Sequence, residues 1–190
     1  MKPVRVRQEE RYTNPPKAKI FCGFIYVPDL DLGEVLRSLE RAWGPVEFIS
    51  RRFPFDYTRY YDSEMGSPLS RKFLTFREEA EQEALPEMKW EAKRVEADFL
   101  HSTGGRRVNI DPGLLLPDRL VLATTKPCAH RPYLAKGVYA DLTLVYRNRS
   151  YMPLEWTYPD YAASQTVKMM NNLREYSFFR KRASRRGRIE

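Results

Sequence analysis

Four short stretches of the 190-residue chain gather side chains able to do acid–base or ligand-binding chemistry. The first is "RRVNIDPG", Arg106 to Gly113. In a strand, alternate residues face opposite sides, so Arg107, Asn109 and Asp111 share one face and Arg106, Val108 and Ile110 the other. A cation, an amide and a carboxylate in one row are the types needed to hold an anion and move a proton. Pro112 and Gly113 predict a turn that fixes Asp111. The plainer use of the same residues is an Asp-capped turn with Arg107 paired to Asp111.

The second stretch is "TTKPCAHRPY", Thr124 to Tyr133. Arg131 offers a planar fork to a phosphate or carboxylate, and Lys126 a point charge. His130 is the imidazole placed where acid–base work near neutral pH is conceivable. The third, "FPFDYTRYYDSEMG", adds the carboxylates Asp56, Asp62 and Glu64 and the rings Tyr57, Tyr60 and Tyr61. Such carboxylates suit Mg²⁺ by type, but their spacing matches no known metal motif. A Tyr-rich acidic loop equally suits a protein interface or a packed lid. The fourth, "LEWTYPDY", brings Trp156, Tyr158 and Tyr161, which stack on a base or simply cover a sheet.

The candidate site is therefore Arg107, Asn109, Lys126 and Arg131 around an anion, with Tyr57, Tyr60 and Trp156 as walls. His130, Asp111 and Asp56 are the candidate catalytic groups. The chain contains no GxxxxGK[ST], GxGxxG, GxSxG or HExxH pattern. That argues against standard P-loop, Rossmann, α/β-hydrolase and zincin chemistry. The two cysteines and two histidines form no zinc-ligand spacing. These patterns leave the cofactor unknown.

The elements that must position these residues alternate in type. "KIFCGFIYV" (Lys19–Val27) is a continuous apolar run, as in a buried central strand. A helix follows, capped by Asp29 or Asp31 and stopped by Gly44 and Pro45. "VEFISRRF" and "SRKFLTF" read as strands. A second helix starts at Pro86, carries Leu85, Met88, Ala92, Val95 and Phe99 on one face, and ends at Gly104 and Gly105. "RRVNI" is the fourth strand. "LPDRLVLATTK" reads as a short helix or a strand. A meander follows with tight turns at Lys136–Gly137 and "RNRS". A last helix, capped by Ser164, packs through Val167, Met170, Leu173 and Phe178.

The expected class is α+β, a ferredoxin-like split βαββαβ unit followed by a β-meander and a C-terminal helix. In this division residues 1–18 are a basic arm and 19–179 a single domain. Within it, 19–111 form the split unit and 112–179 the meander and helix, and 180–190 are a basic tail. The polar trio of the fourth strand then lies on an open sheet face, and "NIDPG" is a hinge between two units.

The formal charge of +8 is unevenly placed. Residues 1–19 carry +4 and residues 180–190 carry +5, which leaves −1 for residues 20–179. Hydrophobic residues at 42% and aromatics at 13% support a folded core. With no signal-like N-terminus and no long apolar window, the expectation is a cytoplasmic chain with reduced thiols and no membrane partner.

Taken together, "FPFDYTRYYDSEMG", "GRRVNIDPG", "LVLATTK", "AHRPYLAKGVYADLTLVY" and "WTYPDY" resemble an uncharacterised bacterial family known only as a domain of unknown function. The resemblance spans about Lys19 to Tyr176 and implies no catalytic residues.

Two functions compete. One is a pocket for a phosphorylated small molecule or nucleotide, which needs only local positive charge. The other is an RNA- or nucleic-acid-binding module that uses sheet aromatics and basic tails, chiefly residues 180–190. The near-neutral body favours the pocket. The pocket requires that Arg107, Lys126, His130 and Arg131 line one concavity.

Overall fold

The computed structural model describes residues 14–180. Strand β1 (Ala18–Tyr26) is buried along its whole length, as its unbroken apolar run demands. Helix α1 (Leu32–Trp43) is capped by Asp31, whose carboxylate accepts from the Gly33 N–H at 2.8 Å, and stops at Gly44 with φ +80°. Strands β2 (Val46–Ile49) and β3 (Phe53–Phe55) replace the single strand expected there. After the short helix α2 (Asp62–Met65) comes β4 (Leu69–Ala80), longer than its sequence pattern suggests. Helix α3 (Leu85–Ala97) has Pro86 in its first turn, as expected, but ends at Asp98, not at the glycines Gly104 and Gly105.

The next strand overturns two expectations. Strand β5 (Val108–Leu115) runs straight through Asp111-Pro112-Gly113, so there is no turn and no hinge. The N–H and C=O of Ile110 both bond to side chains of α3, while the C=O of Arg107 accepts from Val27 after β1. Even-numbered residues of β5 therefore turn their backbone away from β1. Pro112 is on that outer side, where its missing N–H costs no bond to β1. Strand β6 (Arg119–Thr124) settles "LPDRLVLATTK" as a strand.

Strands β7 (Tyr133–Ala135), β8 (Val138–Arg147) and β9 (Ser150–Pro153) form the meander. Its turns fall at Lys136–Gly137 and Asn148–Arg149, all four at positive φ, which matches the right-handed twist of hairpins. Helices α4 (Pro159–Ala162) and α5 (Ser164–Arg174) follow, and a π-helical stretch continues to Arg180. Ser164 is the first residue of α5 and no side chain caps it; the cap position is Ala163.

The class is mixed α+β with one large antiparallel sheet, ordered β2-β4-β1-β5-β6-β8-β7, with β3 beside β4 and β9 beside β8. On one face, α1 and α3 bury Val35, Leu39, Met88 and Ala92 with Cys22, Val108 and Ile110. The other face is not open. Phe21, Phe53, Phe73, Leu144 and Tyr151 are buried there with Tyr161, Met170, Leu173 and Phe178. The apolar stripe of α5 dictates this, since it has nothing else to cover. The aromatic rings Phe21 and Phe73 consequently present no stacking surface to a nucleic acid. Among the described residues, no helix is long and apolar enough to cross a membrane.

Strands β5 and β6 pair only at Gly113–Leu122, Leu114–Val121 and Leu115–Leu120, then part. At this fork a Cβ on Gly113 would stand 2.7 Å from both the Val121 carbonyl oxygen and Leu122 Cδ2. Gly113→Ala is expected to destabilise the fold by about 1–3 kcal/mol, because the clash is partly with backbone that cannot rotate away. Urea denaturation of the variant beside the parent checks this.

Candidate functional site

The fork between β5 and β6 is filled from α3. Glu96 accepts from the Ile110 N–H at 2.7 Å, and the Lys89 ammonium donates to the Ile110 carbonyl at 3.0 Å. Two charged side chains thus take the bonds that a neighbouring strand would supply. Lys89, Lys93 and Glu96 recur at intervals of four and three, which makes them one stripe of α3 beside its apolar stripe.

A cavity of about 510 Å³ opens at this fork. Its inner wall includes Arg71 of β4, Asn109 and Asp111 of β5, and Lys89. Asp160 and Tyr161 of α4 close another side, and Tyr57, Tyr60 and Tyr61 line the mouth.

Arg71 is the most constrained group, at 2% exposure. Its guanidinium carbon is 4.8 Å from the centre of the Phe73 ring and 4.7 Å from that of Tyr161. Its Nε is 3.0 Å from Asp160 and its Nη1 is 3.7 Å from Asp111. These separations are ion pairs, yet among the described residues neither Nε nor Nη1 makes a hydrogen bond, and nor does the buried Tyr161 hydroxyl. Room for both comes from Gly23 of β1. A Cβ there would lie 2.7 Å from Arg71 Nη2 and closer still to the Tyr161 hydroxyl.

A chain of bonds leads outward. Asn109 donates to Asp111 at 2.8 Å, and Arg106 donates to Asn109 at 2.9 Å and to Glu96 at 3.1 Å. Arg106 also grips Glu64 of α2 in a two-pronged pair at 2.6 and 2.8 Å. That pair ties the Tyr-rich loop to the site. Burial alone would raise the Asp111 pKa, but Lys89 and Arg71, with the Asn109 amide, outweigh it and hold the carboxyl below its usual value. Asp160 goes the other way: burial dominates over Arg71 and raises its pKa. Burial likewise pushes Tyr61 and Tyr161 up, so both stay protonated donors.

The Asp111 shift has a pH consequence. A carboxyl with a depressed folded pKa contributes stability that is complete above the ordinary Asp value of about 4 and is lost as pH falls through the lower folded value. The stability gap between the parent and Asp111→Asn is therefore expected to be widest at neutral pH and to close on acidification below about pH 4. Urea midpoints measured from pH 7 downward report it.

Of the site residues that the sequence singles out, Asn109, Asp111, Lys126, Tyr57 and Tyr60 line this cavity. Lys126 closes the mouth by donating to the Tyr60 hydroxyl at 2.7 Å. Arg107 does not take part. The strand begins at Val108, so alternation does not extend to it, and Arg107 turns to Asp29 at 3.0 Å while Arg106 takes the inward place. Arg131 stands behind the wall and holds two lining groups, Asp141 at 2.8 Å and the Tyr158 hydroxyl at 2.8 Å. His130 and Trp156 stack on each other at 4.8 Å, away from the lining, and Asp56 is exposed. The set Arg107, Lys126, His130 and Arg131 thus does not share one concavity, and the pocket expected from those four residues does not form; the cations at the fork cavity are a different set, Arg71, Lys89, Lys93, Arg106 and Lys126.

Sequence reasoning misses Arg71, Lys89, Lys93, Arg106, Asp141, Asp160 and Glu96. Two signals point to some of them: an arginine inside the apolar strand "LSRKFLTF", and the 89–93–96 spacing. Among the described residues, no group of three or more His, Cys, Asp or Glu side chains is arranged to hold a metal ion.

No curated protein and no solved structure matches the chain. A family model does, the domain of unknown function DUF4416, over residues 16–176. The motifs at Phe53–Gly66, Gly105–Gly113 and Trp156–Tyr161 fall inside that span and build this cavity, and the chain belongs to the DUF4416 family.

Proposed function

We propose that the cavity at the β5–β6 fork binds a small anionic ligand of the phosphate or nucleotide-like class. The observation that carries this is Arg71. Its buried guanidinium, 3.0 Å from Asp160 and 3.7 Å from Asp111, sets a fixed positive charge in the cavity wall, and the cations of Lys89, Lys93, Arg106 and Lys126 around it would meet an oxyanion. The Tyr161 hydroxyl beside it has no hydrogen-bond partner among the described residues. Among the lining residues, Arg71, Lys89, Lys93, Arg106 and Lys126 outnumber Asp111, Asp141 and Asp160, so the lining is net positive within a near-neutral body. Tyr57, Tyr60 and Tyr61 at the mouth offer ring faces to a planar moiety. The size suits one small molecule.

The order β2-β4-β1-β5, antiparallel at each step with α1 and α3 on one face, supports a ferredoxin-like split unit in the first half. A cytoplasmic setting is supported by two cysteines that are both free thiols. Nucleic-acid binding through the tail, residues 180–190, falls from residue 181 onward outside the described residues.

Thermal-shift measurements with inorganic phosphate, pyrophosphate and nucleoside mono- and diphosphates test the pocket. A ligand at 100 times its Kd is expected to stabilise the native state by about 2.7 kcal/mol. The shift should shrink in Lys93→Ala and Lys126→Ala, whose side chains line the cavity without an ion pair among the described residues. If none of these anions shifts the transition, or if the shift is unchanged in both variants, the reading is wrong.

A further inference from the structure

The loop between β6 and β7 holds a second constellation outside the cavity. Cys128 is exposed, and its Sγ lies 3.4 Å from His130 Nδ1. The imidazole is stacked almost parallel on the Trp156 ring, at 4.8 Å and 14°. The opposite nitrogen, Nε2, is buried and has no hydrogen-bond partner among the described residues, so none of them draws the ring away from the sulfur.

The support is rigid. The Arg131 N–H donates to the Cys128 carbonyl at 3.0 Å and closes a turn, and the Arg131 guanidinium bonds the Lys126 carbonyl at 3.2 Å and Asp141 at 2.8 Å. Trp156 is pinned through its indole N–H to the Leu142 carbonyl at 2.8 Å. A thiol within reach of an imidazole, with the imidazole held by a third group, is the arrangement of an activated nucleophile. The Trp156 face adds to it, since an aromatic face favours the imidazolium formed on proton transfer.

We propose that Cys128 and His130 are a nucleophile–base pair that reacts with small anionic disulfides to form a mixed disulfide on Cys128. The Cys128 proton passes to His130 Nδ1 as Sγ attacks one sulfur of the disulfide. The sulfur–sulfur bond breaks, and the departing thiolate takes the proton from His130. The sum is one protein thiol and one disulfide giving a mixed disulfide and a free thiol. The disulfide is the only oxidant, and His130 ends as it began. Lys126, two residues before Cys128, gives the loop a positive charge that attracts an anionic reagent. The other cysteine, Cys22, is 0% exposed within the core of β1, so the product stays a mixed disulfide and does not become an internal bond. The pair stands whether or not the cavity binds an anion.

The full chain is treated with 5,5′-dithiobis(2-nitrobenzoate), and separately with oxidised glutathione, and thiol release and intact mass are followed. One adduct on Cys128 is expected, and none in Cys128→Ser. Two substitutions keep the loop packed: His130→Gln preserves polarity and His130→Phe preserves the stack on Trp156. In both, the rate near pH 7 is expected to fall at least about tenfold, in line with loss of a positioned base. The deficit should narrow towards alkaline pH, a profile that loss of packing alone does not produce. Equal rates for parent and both variants across the pH range overturn the proposal, as does an adduct on Cys22.

Discussion

Arg71→Ala is expected to destabilise the protein by about 3–5 kcal/mol, the cost of breaking a buried pair from one side. The substitution removes the cation from between Asp160 and Asp111. Asp160 is 6% exposed, and burial already works against its charge. Lys89, 3.3 Å from Asp111, still compensates that carboxylate, so the unrelieved charge falls mainly on Asp160. The variant also loses the packing of the guanidinium against the Phe73 and Tyr161 rings. For a chain of this length, roughly 2–4 °C accompanies each kcal/mol, so the melting temperature should fall by roughly 6–20 °C. Calorimetry measures it. The double variant Arg71→Ala with Asp160→Asn should lose less than the two single effects combined, because neutralising Asp160 removes the orphaned charge. Strict additivity would mean that Arg71 acts through packing alone.

The second large effect belongs to Glu96, which is 3% exposed. Glu96→Ala leaves the Ile110 N–H buried without its acceptor and takes one carboxylate from Arg106. An unsatisfied buried donor costs about 1–3 kcal/mol, and the weakened pair adds to that, for a total of about 2–4 kcal/mol. Arg106 keeps Glu64 and Asn109, which limits the second part. Glu96→Gln retains an acceptor for Ile110 and should cost about half as much. Chemical denaturation of both variants separates the two contributions. Because Glu96 stands where β5 lacks a partner strand, amide exchange at Ile110 should accelerate in Glu96→Ala and stay slow in Glu96→Gln.

These two side chains also mark where the sequence is hard to read. Arg71 looks like the basic start of an exposed strand until both faces of the sheet are known to be covered. Glu96 and Lys89 look like ordinary helix-surface charges, since most such residues face water. Their spacing with Lys93 is a hint, but the spacing alone does not say that a strand has left its neighbour beside them. Asp111 and Asn109 are legible because they lie inside a regular strand, where alternation holds. Arg107 is not, because alternation does not carry past the strand's start at Val108. Asp-Pro-Gly misleads because its turn preference is local, and here β1 pairs along the whole segment and overrides it.

Local chemistry therefore determined much of the scaffold: the buried run of β1, the Asp31 cap, Pro86 in the first turn of α3, and the tight turns of the meander. Each depends on residues within a few positions of one another. The sequence also singled out Asn109, Asp111, Lys126, Tyr57 and Tyr60, since residue type and local pattern sufficed for them. Only the tertiary structure decided that β5 and β6 part after Gly113 and Leu122, that α3 fills the gap with charges, and that α5 covers the other face. The physical reason is that the buried charges of Arg71, Lys89, Asp111 and Asp160 are tolerable only as a set. Their partners come from β4, α3, β5 and α4, up to 89 positions apart in the chain, and no local signal reports which of them will meet.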